Sequence, residues 1–109
     1  MDRQHRRLRV PFTAPAEIAA ETSPGAGVTA QVTELSLYGC YIATPAPFAA
    51  QAPLLVKIFN GTEYFEAKAT VIYSQPAQGM GVAFREIKPH FLVTLKQWIL
   101  EALHNHKQP

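Results

Sequence analysis

Four arginines stand within the first nine residues, Arg3, Arg6, Arg7 and Arg9, against a single acid, Asp2. A guanidinium carries a rigid fork of donors that fits phosphate oxygens two at a time. It can also stack on a base or pair with the O6 and N7 acceptors of guanine. With histidine neutral, residues 1–9 carry +3, whereas the other 100 residues, with six Lys or Arg and seven acids, carry −1. A dense basic arm on a near-neutral body points to a local anion site rather than a broad nucleic-acid surface. Such an arm can fold over a compact dianionic ligand and be ordered by it, at an entropic cost that makes each contact count. The plain alternative is a frayed, solubilising terminus.

A second group of polar residues lies in Glu34-Leu-Ser36-Leu-Tyr-Gly39. It gathers a carboxylate, a hydroxyl and a flexible backbone within one tight turn. The carboxylate of Glu34 can accept from the N1–H and N2–H₂ groups of guanine or fix an arginine, and Ser36 can donate to a phosphate. Gly39 lets the backbone come close to a neighbour. The alternative here is an ordinary β-turn, with the Ser36 hydroxyl bonded to its own backbone.

Enzyme signatures are missing from the sequence. It has no Gly-x-x-x-x-Gly-Lys loop, no His-Glu-x-x-His and no Gly-x-Ser-x-Gly, so catalysis is not expected. The histidines, His5, His90, His104 and His106, have no cysteine or acid completing a recognisable metal site. The single cysteine, Cys40, rules out an intrachain disulfide framework and reads as a small buried hydrophobe. The first residues lack the apolar stretch of a signal peptide, and no run of about 18 apolar residues suggests a membrane span. A soluble, bacterial-type cytoplasmic domain is expected. With 48% hydrophobic and 17% charged residues in 109, the composition is that of one globular domain.

The elements that must position these groups are β-rich. Strands are expected from Phe12 to about Glu21, over Val28 to Leu35, over Cys40 to Thr44, over Leu54 to Phe59, over Glu63 to Tyr73 and over Gly79 to Phe84. Val28, Ala30 and Val32 should share one face of their strand, and Phe65, Ala67, Ala69, Val71 and Tyr73 one face of theirs. Asn60-Gly61, between two β-rich runs, is the strongest local hairpin signal, because both residues tolerate positive φ. Gly79 and Gly81 mark close backbone approach or a bulge. Helical periodicity then places Phe91, Leu92, Leu95, Trp98, Ile99, Ala102 and Leu103 on one face of a terminal helix over 88–105, with Trp98 as a packing residue. Short antiparallel strands closed by one helix suggest a small all-β barrel, which would leave no sheet edge exposed.

These features together resemble the PilZ domain family over nearly the whole chain, and Gly79-Met-Gly81-Val-x-Phe84 looks like that family's late barrel strand. The family's first ligand element is Arg-x-x-x-Arg just before the first strand, often within Arg-Gln-x-Arg-x-x-x-Arg. Arg3-Gln4-x-Arg6 matches it, and Arg9-Val10-Pro11 looks like the usual approach to the strand, but Arg6 and Arg9 are separated by two residues instead of three. Arg3 and Arg7 keep the formal spacing, yet Arg7 then stands two residues too early. Arg6 and Arg9 are therefore favoured as the pair, with Arg7 or Arg3 assisting. The second element, Asp/Asn-x-Ser-x-x-Gly, is matched by Ser36 and Gly39, with Glu34 keeping the charge and adding a methylene. The resemblance implies a six-stranded antiparallel β-barrel with a C-terminal helix, occupying 1–109 as a single domain with 1–9 as a flexible arm. It also implies a cyclic di-GMP receptor without cofactor or metal, taking one ligand or a stacked pair and changing its conformation or partner surface on binding. A downstream protein partner is implied as well; the helix could also pair with a copy of itself. The alternative is a member that has lost the ligand and works as a protein–protein adaptor. DNA or RNA binding is not expected, because the aromatic and basic groove that single-stranded RNA requires is lacking.

Overall fold

The computed structural model describes residues 8–107 of the chain. The chain forms six strands, β1 (Val10–Ala20), β2 (Val28–Leu35), β3 (Gly39–Ala43), β4 (Pro53–Asn60), β5 (Glu63–Gln75) and β6 (Gly79–Glu86), and one helix follows, α1 (Pro89–Lys107). Every pairing is antiparallel, and the order β1-β2-β3-β6-β5-β4 closes back on β1. The chain thus forms the six-stranded antiparallel barrel with a C-terminal helix that its sequence implies. Closure leaves each strand two neighbours, so unpaired edges are avoided.

The lumen is filled by the inward set of each strand, including Ile18, Val32, Ile42, Leu54, Ile58, Phe65, Val71 and Met80. Pro15 sits inside β1 without breaking the barrel. It pairs with Gln31 of β2, while the β1–β4 ladder starts only at Ala16. The missing amide of Pro15 therefore costs no β1–β4 hydrogen bond. Pro89 occupies the first turn of α1, where an amide would have no intrahelical partner. Phe91, Leu95, Trp98 and Ile99 are buried, so α1 packs its apolar stripe against the barrel. Trp98 stacks on Phe12 at 5.5 Å and donates its indole N–H to Glu63 Oε1 at 2.9 Å. It is a packing residue, as its place on the helix predicts.

Three local expectations are corrected. The β4–β5 turn is centred on Gly61-Thr62, because Asn60 still pairs with Glu63. Within this turn only Gly61 takes a positive φ, 66°, which is the pattern of a turn with glycine at its first central position. Val28 is 48% exposed although Val32 on the same strand is buried. The largest departure is in β5. Phe65, Ala67, Ala69 and Val71 point inward, but the β5–β6 register shifts between Val71 and Tyr73, and Tyr73 leaves the core face. A bulge places one extra residue in a strand and so turns the side chains beyond it to the other face.

Candidate functional site

The register of β1 against β2 decides what meets at the start of the barrel. Val10 pairs with Leu35 and Pro11 with Glu34, so Arg9 comes alongside the end of β2. Arg9 Nη1 donates to Glu34 Oε1 at 3.5 Å, with the arginine side chain 61% exposed. Directly after Leu35 the chain turns through Ser36 to Gly39. Ser36 Oγ accepts from the amides of Tyr38 and Gly39, both at 3.1 Å, and donates to the Gly39 carbonyl at 3.2 Å. The Ser36 amide donates to that carbonyl as well, at 2.9 Å.

The hydroxyl is buried and holds its own turn together, which is the local-bonding alternative for this residue. The turn is also pinned from beneath. Phe84 N donates to the Tyr38 carbonyl at 2.8 Å, and Gly39 pairs with Ala83 of β6. A β-carbon on Gly39 would overlap the Val82 carbonyl oxygen, so only glycine lets β3 and β6 come this close.

Arg9, Glu34, Ser36 and Gly39 thus line one groove of about 240 Å³, opposite Tyr41, Tyr73 and Gly81. Arg3, Arg6 and Arg7 lie outside the described residues. The volume is smaller than the roughly 300–1,000 Å³ of a complete small-molecule site. The groove is therefore sized for part of a ligand. A larger cavity of about 360 Å³ lies beside Lys57, Glu66, Lys68 and Glu86. Four of the charges there are paired: Lys57 is 3.2 Å from Glu66, and Lys68 is 3.8 Å from Glu86 and from Glu21 outside the cavity.

Sequence reasoning missed the aromatic side of the groove. Tyr41 of β3 and Tyr73 of β5 are drawn together by β6, which runs between them, and their ring centroids are 6.3 Å apart. The Tyr73 ring lies where a side chain on Gly81 would be, and the Tyr41 ring lies over Gly79. Tyr41 Oη donates to Gln75 Oε1 at 2.5 Å. The two glycines were the available signal, since they marked close approach without saying by what. Cys40 lines the floor of the groove, buried, and desolvation pushes its thiol up from 9.0 to about 12. Among the described residues no group of three His, Cys, Asp or Glu side chains could hold a metal ion. Nor is any described helix long and apolar enough to cross a membrane.

A family model described as the PilZ domain matches residues 1–101. Among solved structures, the PilZ domain with c-di-GMP of YcgR from Escherichia coli superposes with a TM-score of 0.73 at 13% identity, covering 92% of each chain. The PilZ domain of CeSA from a cellulose-synthesizing bacterium gives 0.65 at 19% identity, covering 86% of this chain and 96% of that one. The Bacillus subtilis inhibitor of motility, MotI/DgrA, gives 0.76 at 17% identity and covers 93% of this chain, which spans about half of that protein, 52%. At these identities the likeness is one of fold. No curated protein matches the chain at a significant level.

Proposed function

The chain belongs to the PilZ domain family, and we propose that it is a non-enzymatic cytoplasmic receptor for cyclic di-GMP whose partner surface changes when the ligand binds. The observation that carries this is the meeting of Arg9 with Glu34 at 3.5 Å on the rim of the groove that Ser36 and Gly39 line. Arg9 and the turn from Ser36 to Gly39, far apart in sequence, meet on one surface.

Each residue then has a role. Arg9 grips a phosphate or a guanine edge, Arg6 joins it, and Arg7 or Arg3 assists. Glu34 holds the guanidinium of Arg9 at the rim and can accept from guanine once that contact loosens. Ser36 sets the turn by its three local hydrogen bonds, so that the backbone at Gly39 stays close to the ligand. Binding organises the basic segment on the barrel and so alters the face offered to a downstream protein. The adaptor alternative leaves this convergence unexplained.

Isothermal titration calorimetry of the full chain with cyclic di-GMP tests the proposal. Micromolar or tighter binding is expected. A folded sample that gives no heat at high protein concentration would rule the receptor out.

A further inference from the structure

We infer that Tyr73, held in place by Tyr41 and the glycines of β6, is a stacking face for a purine base of the ligand. The inference rests on the receptor role just proposed and adds to it a subsite outside the arginine and Ser36 elements.

Gly81 pairs with Tyr41 on one side and with Tyr73 on the other, so this glycine stands between two tyrosines across the sheet. A β-carbon at Gly81 would collide with the Tyr73 ring, and one at Gly79 with the Tyr41 ring and the Ile42 carbonyl. The absence of side chains therefore lets both rings lie down on β6. Tyr73 is nonetheless 39% exposed. Part of the ring lies against Gly81, and the ring also lines the groove.

The bulge beside Ile72 is what brings the ring there. Without it, the alternation that buries Ala69 and Val71 would carry Tyr73 into the lumen. The hydrogen bond from Tyr41 to Gln75 fixes the second ring, which meets the first at 34°. Tyr41 is thus a positioning residue and Tyr73 the contact.

Both rings share the groove with Arg9, Ser36 and Gly39. An aromatic wall adds little to an anion site but gives a flat base a face to stack on. Stacking of a base on an aromatic side chain strengthens binding by about five- to 150-fold and tolerates any base, since every base has a π-face. Packing an aromatic ring over a strand glycine also supports the sheet. The decisive measurement must therefore read the ligand and not only the fold.

Cyclic di-GMP is titrated into the full chain and into the Tyr73→Leu and Tyr73→Phe variants, with calorimetry and the guanine absorption band followed together. The wild type should bind with loss of guanine absorbance, the signature of stacking. Tyr73→Phe should bind within about twofold of it, and Tyr73→Leu should bind about tenfold or more weakly with the absorbance change reduced. If the wild type binds while its guanine band is unchanged, the stacking face is overturned whatever the variants do. Equal affinity of a folded Tyr73→Leu has the same consequence, and either result leaves the arginine site standing. Failure of the wild type to bind overturns the receptor and the subsite together.

Discussion

Strand β1 has an arginine–glutamate pair at each end, and the two pairs are built to different purposes. Beyond its C-terminal end, Arg85 Nη2 is 2.6 Å from Glu21 Oε1 and its Nε donates to the Ala69 carbonyl at 3.4 Å. Lys68 bridges Glu21 to Glu86, at 3.8 Å from each. The guanidinium of Arg85 is thus engaged along two edges and fastens β5 and β6 to the end of β1. Before the N-terminal end, Arg9 makes one ion pair among the described residues, at 3.5 Å through Nη1. Most of its five donors are not used by that contact, and its side chain is 61% exposed against 40% for Arg85. The same two residue types make a fastener in one place and an open grip in the other. What separates them is how many donors the fold has already engaged.

The largest effect should come from the scaffold beneath the grip. Gly39→Ala places a β-carbon on the Val82 carbonyl oxygen, and backbone atoms cannot rotate out of the way as a side chain can. The cost should be about 3 kcal/mol or more in chemical denaturation. Gly25→Ala, where nothing lies within 4 Å, should change stability by no more than about 0.5 kcal/mol. If Gly39→Ala melted like Gly25→Ala, the Ser36 turn would not be pinned to β6. The grip would then be a loose loop rather than a groove wall.

The two arginines should answer to opposite readouts. Arg9→Ala should weaken cyclic di-GMP binding at least about tenfold, or 1.4 kcal/mol, and leave the denaturation midpoint unchanged. Arg85→Ala should lower stability by about 1 kcal/mol and leave affinity unchanged. Calorimetry and urea melts on both variants give four numbers. Should Arg85→Ala weaken the ligand as much as Arg9→Ala does, the division of labour fails.

Legibility in the sequence followed how local each feature is. The barrel could be read because alternation along Phe65, Ala67, Ala69 and Val71 is a property of consecutive residues. It failed at Tyr73, where the β5–β6 bulge is set by the pairing partner and not by β5 alone. The hairpin shifted by one residue for a similar reason: Asn60-Gly61 signals a turn, but the Asn60 pairing with Glu63 moves its centre. In the groove, Glu34, Ser36 and Gly39 were legible as one short motif. Their meeting with Arg9 depends on the Val10–Leu35 register, which no local pattern encodes. The Ser36 hydroxyl had two readings, and the structure shows it bonded to its own backbone groups. Tyr41 and Tyr73 are joined only through β6, so their glycines announced a close approach whose partner the sequence did not name.

The smallest effect concerns the floor of the groove and tests whether the grip is only a surface layer. Cys40 pairs with Leu35 and Val82 directly beneath the turn, and burial raises its thiol to about 12 from 9.0. The unfolded chain releases this proton near 9.0, whereas the folded chain keeps it until about 12. Between those values the unfolded state binds fewer protons, so this group's contribution to stability falls as pH rises, and it is undiminished below 9.0. Lysines also titrate in this range, so the measurement is the difference between wild type and Cys40→Ala, which should lose less stability on going to alkaline pH. At about pH 8 the native thiol should react with a disulfide reagent far more slowly than a free cysteine does. Reaction at the free-thiol rate would mean that water reaches Cys40. The groove would then open into the barrel, and the contrast between an exposed grip and a sealed interior would not hold at this end of β1.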